Sequence, residues 1–561
     1  MHNFTTFDLI VVLVYLIGIG GLGIYQAVKI KSSGDYFAGG RKFSKWLMMM
    51  HALGTGTHAD DPVVVTGAAY SHGLSGIWYT FVYLFVTPFY WIIAPFFRRS
   101  RYITTADFFK ERFGSKMAVL YSLMGVITFA LYIGMMLKAT GTLASAVTQG
   151  AVPQWAAISA MTVVFVAYGL AGGLIATVVT ESVQGLLIVV MSLLLIPFGL
   201  ARVGGIGALH QLLPASKFSL HAPTEMTIPW IITGSVMMLI GIVSQPHIME
   251  VCSTGKTEFE GRVGFTYGNF VKRFCAMGWA FTGVVILALV AMHGIPALGS
   301  EREAAFGTAI RELLPSGFTG LMFAAILAAQ MSTLSAFMVA SSALLARNIY
   351  KEHIKPAATD DELLGLARWI GLLVVGIGVV FAFGVSGVAQ ALTINWAVST
   401  LTGVLVWAGV LWKRTNSTGA WISFIVMAVL WLALGPAGGA LKGVMNAGPE
   451  WLGVFADKKD LQKLGLSFLP VGVIVLVLGS LLSRGLDKKK LDRFYLLLKT
   501  PVGREGELVE AGVNIVYAGA SEGHPWELKH PRLVNLGGFV IALVFSLLIL
   551  GLLYLISRIG A

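Results

Sequence analysis

Charge is scarce in this sequence: Asp, Glu, Lys and Arg make up only 12% of its 561 residues, about half the share of an ordinary soluble domain. A soluble chain of this length would divide into several domains with charged surfaces between them, and too few charges are present to cover such surfaces. Cysteine occurs twice, at Cys252 and Cys275, which excludes a disulfide scaffold and a multi-cysteine metal site. Proline is sparse too, at 18 residues against 66 glycines, and no Gly-X-Y period runs through the chain, so it is not collagenous. The 56% hydrophobic content excludes disorder. What remains is an all-α polytopic membrane protein.

A helix crosses the hydrocarbon with about 20 mostly apolar residues. Fourteen segments meet that length, near 7–28, 46–70, 75–97, 117–147, 152–170, 175–201, 228–252, 274–297, 317–346, 364–385, 387–412, 418–436, 467–483 and 534–557. The first is too long for a signal peptide and has no small-residue cleavage site, so it is expected to be a retained helix. The formal charge of +12 invites a nucleic-acid partner, but the basic residues sort by loop. Lys29, Lys31 and Arg41 follow the first span, and Arg98, Arg99 and Arg101 the third. Lys256, Arg262, Lys272 and Arg273 follow the seventh, and Lys488, Lys489 and Lys490 the thirteenth. That is a positive-inside bias, so no nucleic acid is expected. A multi-pass plasma-membrane protein, in a bacterial inner membrane, with both termini outside the cytoplasm, is the expectation. Residues 437–466 then form an external loop. Residues 484–533 form a cytoplasmic segment with an amphipathic start at Leu491-Asp492-Arg493-Phe494-Tyr495.

Polar residues interrupt three spans. The second runs into Gly54-Thr55-Gly56-Thr57-His58-Ala59-Asp60-Asp61-Pro62. An ionised side chain near the bilayer centre costs about 3 kcal/mol or more and usually faces a cavity, while Pro62 removes a helical hydrogen bond. A broken helix exposing carbonyls is the economical reading; a kinked helix with its carboxylates bonded to neighbours is the alternative. The seventh span is interrupted at Ser244-Gln245-Pro246-His247. These two spans open successive five-span halves of opposite orientation, which is the mark of an inverted-repeat transporter with a midplane site. The ninth carries Gln330-Met331-Ser332-Thr333-Leu334-Ser335. Such hydroxyls and carbonyls suit a weakly held monovalent cation, or else pack back onto their own helix.

Several motifs, in order, resemble the sodium:solute symporter family. They are Tyr36-Phe37-Ala38-Gly39-Gly40-Arg41; Tyr168-Gly169-Leu170-Ala171-Gly172-Gly173-Leu174, leading to Thr180-Glu181-Ser182-Val183-Gln184; Gln245-Pro246-His247-Ile248; Met331-Ser332-Thr333-Leu334-Ser335; and Arg347-Asn348-Ile349-Tyr350. The resemblance implies a leucine-transporter-like fold of two inverted five-helix repeats, here 46–203 and 226–414. Residues 1–45 precede them, extra helices follow over 415–483, and a last helix lies in 534–561. It also implies co-transported Na+, held by the carbonyls of Gly54, Thr57 and Ala329 and the hydroxyls of Ser332 and Thr333. Asp60, Asp61, Thr80 and Tyr83 fall where sugar carriers make substrate contacts, with Ser244 and Gln245 at the second break. Proline carriers have an aspartate where this chain has Gly56, and the family's Gln-Arg after the second break is Glu250-Val251 here, so proline fits less well than a sugar or polyol.

Other signals weigh less. Gly255-Lys256-Thr257 lacks the upstream glycine of a phosphate loop, and Gly18-Ile19-Gly20-Gly21-Leu22-Gly23 sits inside an apolar span with no strand before it. His51 and His58 share a face only if their helix is continuous, and they have too few companions for a metal. Glu181 is read as bonding a nearby loop, and the aromatic run from Trp78 to Tyr83 as packing or a gate. No nucleophile–base constellation appears, so an enzyme is not expected. The implied partners are a small-molecule solute, sodium and the lipid bilayer, with no signal for an oligomeric state. Proton coupling through Asp60 and Asp61, or a transporter-fold sensor signalling through 484–533, are the alternatives.

Overall fold

A computed structural model describes residues 4–27, 41–171, 174–434, 461–485, 487–516 and 522–559. Tyr36–Gly40, Gly172 and Gly173 of the motifs above, Lys29, Lys31 and most of the 437–466 loop lie outside the described residues. Among the described residues there is no strand, only a single bridge between Phe43 and Gly255. The helices are α1 (Thr6–Ala27), α2 (Lys45–Thr55), α3 (Asp60–His72), α4 (Thr87–Ser100), α5 (Thr105–Phe113), α6 (Ser115–Val147), α7 (Gln154–Ala171), α8 (Leu174–Val203), α9 (Ile228–Gly241) and α10 (Pro246–Ser253). They continue with α11 (Glu258–Ala291), α12 (Ala305–Leu313), α13 (Phe318–Leu345), α14 (Asp360–Gly384), α15 (Val388–Leu411), α16 (Ser417–Leu434), α17 (Leu461–Leu482), α18 (Lys488–Lys499) and α19 (Pro531–Ile556). Among the described residues eight helices are long and apolar enough to cross a membrane, or nine if the pair 228–244 and 246–253, bent by 70°, counts as one span. The expected fourteen is therefore not reached by that measure. Helix is present in all fourteen segments, but several are divided or short.

The second span is broken as expected, though not by Pro62. The α2 helix ends at Thr55, and α3 begins at Asp60 with both carboxylates in its first turn, where negative charge meets the positive end of the helix dipole. Pro62 also lies in that first turn, where a missing N–H costs nothing, so it starts a helix rather than interrupting one. The third span was expected to be continuous and is not. A 3₁₀ stretch (Gly73–Ile77), a single turn (Trp78–Phe81) and further turns precede α4, whose N-terminus carries Pro88.

The eighth span differs most. It was placed from residue 274, with Arg262, Lys272 and Arg273 counted as loop charges, but α11 begins at Glu258 and all three lie within it. The cause is a capping box: Thr257 and Glu260 satisfy each other's backbone groups and start the helix sixteen residues early.

The amphipathic α18 buries Phe494, Tyr495 and Leu497, and the described residues of 484–533 clasp one end of the bundle. Arg101, fully buried, meets Glu505 at 2.8 Å and donates to the carbonyls of Thr500 and Pro501 at 3.0 and 2.9 Å. Glu258 joins Arg99 at 2.7 Å and accepts from the Val502 N–H at 2.8 Å. Arg262 closes on Glu527 at 2.6 Å. Burial pushes the Glu527 carboxyl up to about 7, with Arg262 pulling the other way. The unfolded carboxyl ionises near 4.5, so between that pH and about 7 the folded state binds more protons and stability falls as pH rises. The unfolding temperature in detergent should therefore be higher at pH 5 than at pH 7.5, and Glu527→Gln should flatten that difference. An unchanged profile in the variant would refute the assignment.

Candidate functional site

A central cavity with about 80 Å³ of water-accessible space lies where the α2–α3 and α9–α10 breaks meet α6, α11 and α13. Its polar lining includes Asp60, Asp61, Tyr83, Gln245, Lys272 and Arg273. At the first break Lys272 lies 2.7 Å from the Asp61 carboxylate. This contact is an ion pair. The same ammonium donates to the Gly56 carbonyl, which the end of α2 leaves free. His58 donates from Nε2 to the Thr55 carbonyl at 2.8 Å and turns Nδ1 to Asp60 at 3.1 Å. Both contacts are satisfied only with a proton on each ring nitrogen or on Asp60. The Ala59 N–H donates to Gln330 of α13 at 3.2 Å, and Gln330 donates in turn to the Met136 carbonyl of α6. The break is thus tied to three other helices.

At the second break, Gln245 adopts an extended backbone between a 3₁₀ turn and α10. Ser244 was expected among the substrate contacts. Its hydroxyl instead donates to the carbonyls of Gly241 and Ser399, at 2.9 and 2.6 Å, and holds the bend against α15. Thr80 does not line the cavity either; its carbonyl accepts from Arg273 at 3.1 Å.

Of the residues expected around sodium, those on α13 come together. The Ser332 and Thr333 hydroxyls both donate to the Ala329 carbonyl, at 2.9 and 3.1 Å, and Ser332 also meets Gln184 of α8 at 3.0 Å. Each hydroxyl keeps lone pairs that a cation can use. On the α2 side the Gly54 carbonyl accepts from the Thr57 N–H at 3.2 Å, and Thr57 Oγ1 is buried without a partner. The two sets are linked by α8. Glu181, three residues before Gln184, packs so closely on Gly54 that a Cβ there would lie 2.7 Å from the Glu181 Cβ.

Three features went unread in the sequence. Glu181 bonds His51 at 2.8 Å and Thr55 at 3.3 Å rather than a loop. The spacing of His51 and Thr55, one helical turn apart, is the signal that could have found that cluster. Lys272 and Arg273 were hidden by the misplaced start of α11. His58, Asp60 and Asp61 offer ligand atoms within 4.8 Å of one another, but the Lys272 ammonium already supplies the positive charge there.

One end of the cavity is capped by aromatic rings. Tyr79 lies 5.6 Å from Trp230 and 6.4 Å from Trp396, and Tyr83 lies 6.2 Å from Trp396. Beyond them Glu225 meets both His72 and Arg302 at 3.2 Å. The bond from His72 first, and then the Arg302 charge, hold the Glu225 carboxyl down at about 2.

Broken helices meeting at a polar, membrane-embedded cavity define a secondary transporter of inverted-repeat design. The chain belongs to the sodium:solute symporter family, which matches residues 36–426, and sodium is its co-transported ion. It is 22% identical over 464 residues to a sodium/glucose cotransporter of Vibrio parahaemolyticus, covering 76% of this chain and 84% of that one. It is 24% identical over 519 residues to a sodium/proline symporter of Haemophilus influenzae, covering 87% and 97%. Among solved structures, the substrate-bound outward-open state of a Na+-coupled sialic acid symporter matches with a TM-score of 0.72 at 18% identity, over 86% of this chain and 99% of that one. The leucine-transporter-like fold is thereby shown.

Removing one partner of a buried ion pair strands the other and costs about 3–5 kcal/mol. Lys272→Ala should therefore lower the unfolding temperature clearly, and adding Asp61→Asn should restore most of the loss. If the double variant is as unstable as the single one, the pair does not carry the contact.

Proposed function

We propose that this protein imports a small polar organic solute with sodium by alternating access. The observation that carries the reading is the meeting of two helix breaks at one polar cavity, with the Ala329, Ser332 and Thr333 oxygens on the helix tied to the first break. Sodium is held by those oxygens together with the carbonyls of Gly54 and Thr57. The solute lies against Asp60, Asp61, Tyr83 and Gln245. Sodium favours the solute-binding state, and by linkage the solute favours sodium. The two repeats, 46–203 and 226–414, rock about the site, and the aromatic and Glu225–Arg302 layers close one end. The relatives' names cover glucose, proline and sialic acid, so the family does not single out one substrate. A hydroxylated solute such as a sugar or polyol suits the cavity's carboxylates and amides. The basic end, with 484–533, faces the cytoplasm of a plasma membrane and both termini lie outside.

A proton-coupled reading is favoured by one observation, the proton that the His58–Asp60 contact requires. It differs from sodium coupling in whether a pH gradient alone drives uptake. In proteoliposomes, an imposed inward sodium gradient should drive uptake of solutes drawn from a sugar, polyol and organic-acid panel. Ser332→Ala and Thr333→Ala should each raise the sodium concentration for half-maximal uptake about tenfold or more, the loss of roughly one cation–oxygen contact. Uptake indifferent to sodium in the wild type and in both variants would overturn the proposal.

A further inference from the structure

We infer that the transported solute carries a carboxylate, and that Arg273 is the residue that receives it. The inference rests on the symporter reading above.

The cavity brings four formal charges together, and three of them are accounted for within the protein. Asp61 is paired with Lys272, and Asp60 is bonded by His58. Arg273 is different. Its side chain is only 1% exposed and lines the cavity, and its Nη1 donates to the Thr80 carbonyl at 3.1 Å. Its guanidinium stands 5.4 Å from the centre of the Tyr83 ring. Yet its Nε is buried without a partner, and among the described residues no carboxylate comes within the 4.0 Å of an ion pair. Arg262, eleven residues earlier on the same helix, closes on Glu527 at 2.6 Å, so the sequence supplies a counter-charge where the protein itself needs one.

A buried guanidinium with an open donor is costly unless something completes it. Its planar fork matches a carboxylate, which accepts from two N–H groups at once and makes a charge-assisted bond. Charge balance points the same way. With the proton that the His58–Asp60 contact requires, that pair is neutral overall and Asp61 cancels Lys272, so the Arg273 charge is left over and a carboxylate cancels it. An uncharged solute entering with sodium leaves an added positive charge beside an arginine that already lacks a partner. The pairing of Asp61 with Lys272 removes the repulsion that two free carboxylates would exert on an anion. Asp60, Gln245 and Tyr83 remain to bond hydroxyls, so the class is a small hydroxy or polyhydroxy carboxylate. The competing role for Arg273 is a purely structural one, clamping the irregular 73–86 stretch through Thr80, which would affect stability but not solute preference.

The test uses the full-length protein in detergent, with thermal unfolding followed in sodium chloride or choline chloride. The probes are matched pairs: gluconate and sorbitol, glycerate and glycerol, lactate and 1,2-propanediol. In sodium, at least one carboxylate should stabilise the protein at about tenfold lower concentration than its neutral partner, the worth of one charge-assisted bond. Arg273→Gln should abolish that preference while keeping the stabilisation by sodium alone. Arg273→Lys, which keeps the charge and guards against a folding failure of the first variant, should retain the preference in weaker form. The inference is overturned if no carboxylate binds, if the neutral partners bind as well or better, or if the preference survives in Arg273→Gln. Sodium-dependent binding of neutral probes alone would sink the carboxylate and leave the symporter reading standing; no sodium effect of any kind would sink both.

Discussion

The contact on which the centre of this bundle depends is that of the Lys272 ammonium with the free end of α2. Ending a helix in mid-membrane leaves carbonyls with no partner in a medium that offers no water, and each such group costs several kcal/mol. Lys272 meets the Gly56 carbonyl and, with the same ammonium, neutralises Asp61 at the start of α3. One side chain therefore spans both stumps of the broken helix. A buried ion pair gains little net stability over apolar packing, so its value here is positional: it fixes where the break occurs and how far apart its ends stand.

That contact is possible only because α11 comes close to α2. Gly264 and Gly268 form a GxxxG step on α11. A Cβ at Gly264 would lie 2.5 Å from the Met48 Cβ, and one at Gly268 would lie 2.6 Å from the Met49 carbonyl. Small residues at such spacing let membrane helices approach backbone to backbone, and one turn further along the same helix Lys272 reaches the break. The second break is held by different means. Ser244 binds α15 and accepts the Tyr121 hydroxyl at its carbonyl, at 2.8 Å, so a hydroxyl bridge does there what an ammonium does at the first.

These details explain which parts could be read from sequence. Asp60 and Asp61 stood out because two adjacent carboxylates inside an apolar run have no inexpensive alternative, and the structure places both in the cavity. The helix breaks were legible for the same reason, since glycine, threonine and proline clusters interrupt hydropathy. Lys272 and Arg273 were not, because a charge near the edge of an apolar run reads equally as loop or as cavity. The Thr257–Glu260 capping box was the local signal that decided between them. Ser244 and Thr80 were misassigned because sequence gives a side chain's address but not its direction: one hydroxyl turns to a carbonyl on α15, and the other residue contributes its backbone. Contacts such as Gln330 with Ala59, 271 positions apart, have no local signature at all.

Several of the basic residues serve packing. Arg99, Arg101 and Arg262 are bonded into the 484–533 clasp through Glu258, Glu505 and Glu527, so these basic residues tie a peripheral segment to the bundle. The arrangement has a mechanical consequence. A helix rises about 1.5 Å per residue, so ten residues of α11 place Arg262 about 15 Å from Lys272 on one rigid rod. A tilt of α11 that reshapes the cavity must therefore displace Arg262 against Glu527, or carry the clasp with it. The clasp and the cavity are coupled through the helix that holds a buried cation for each.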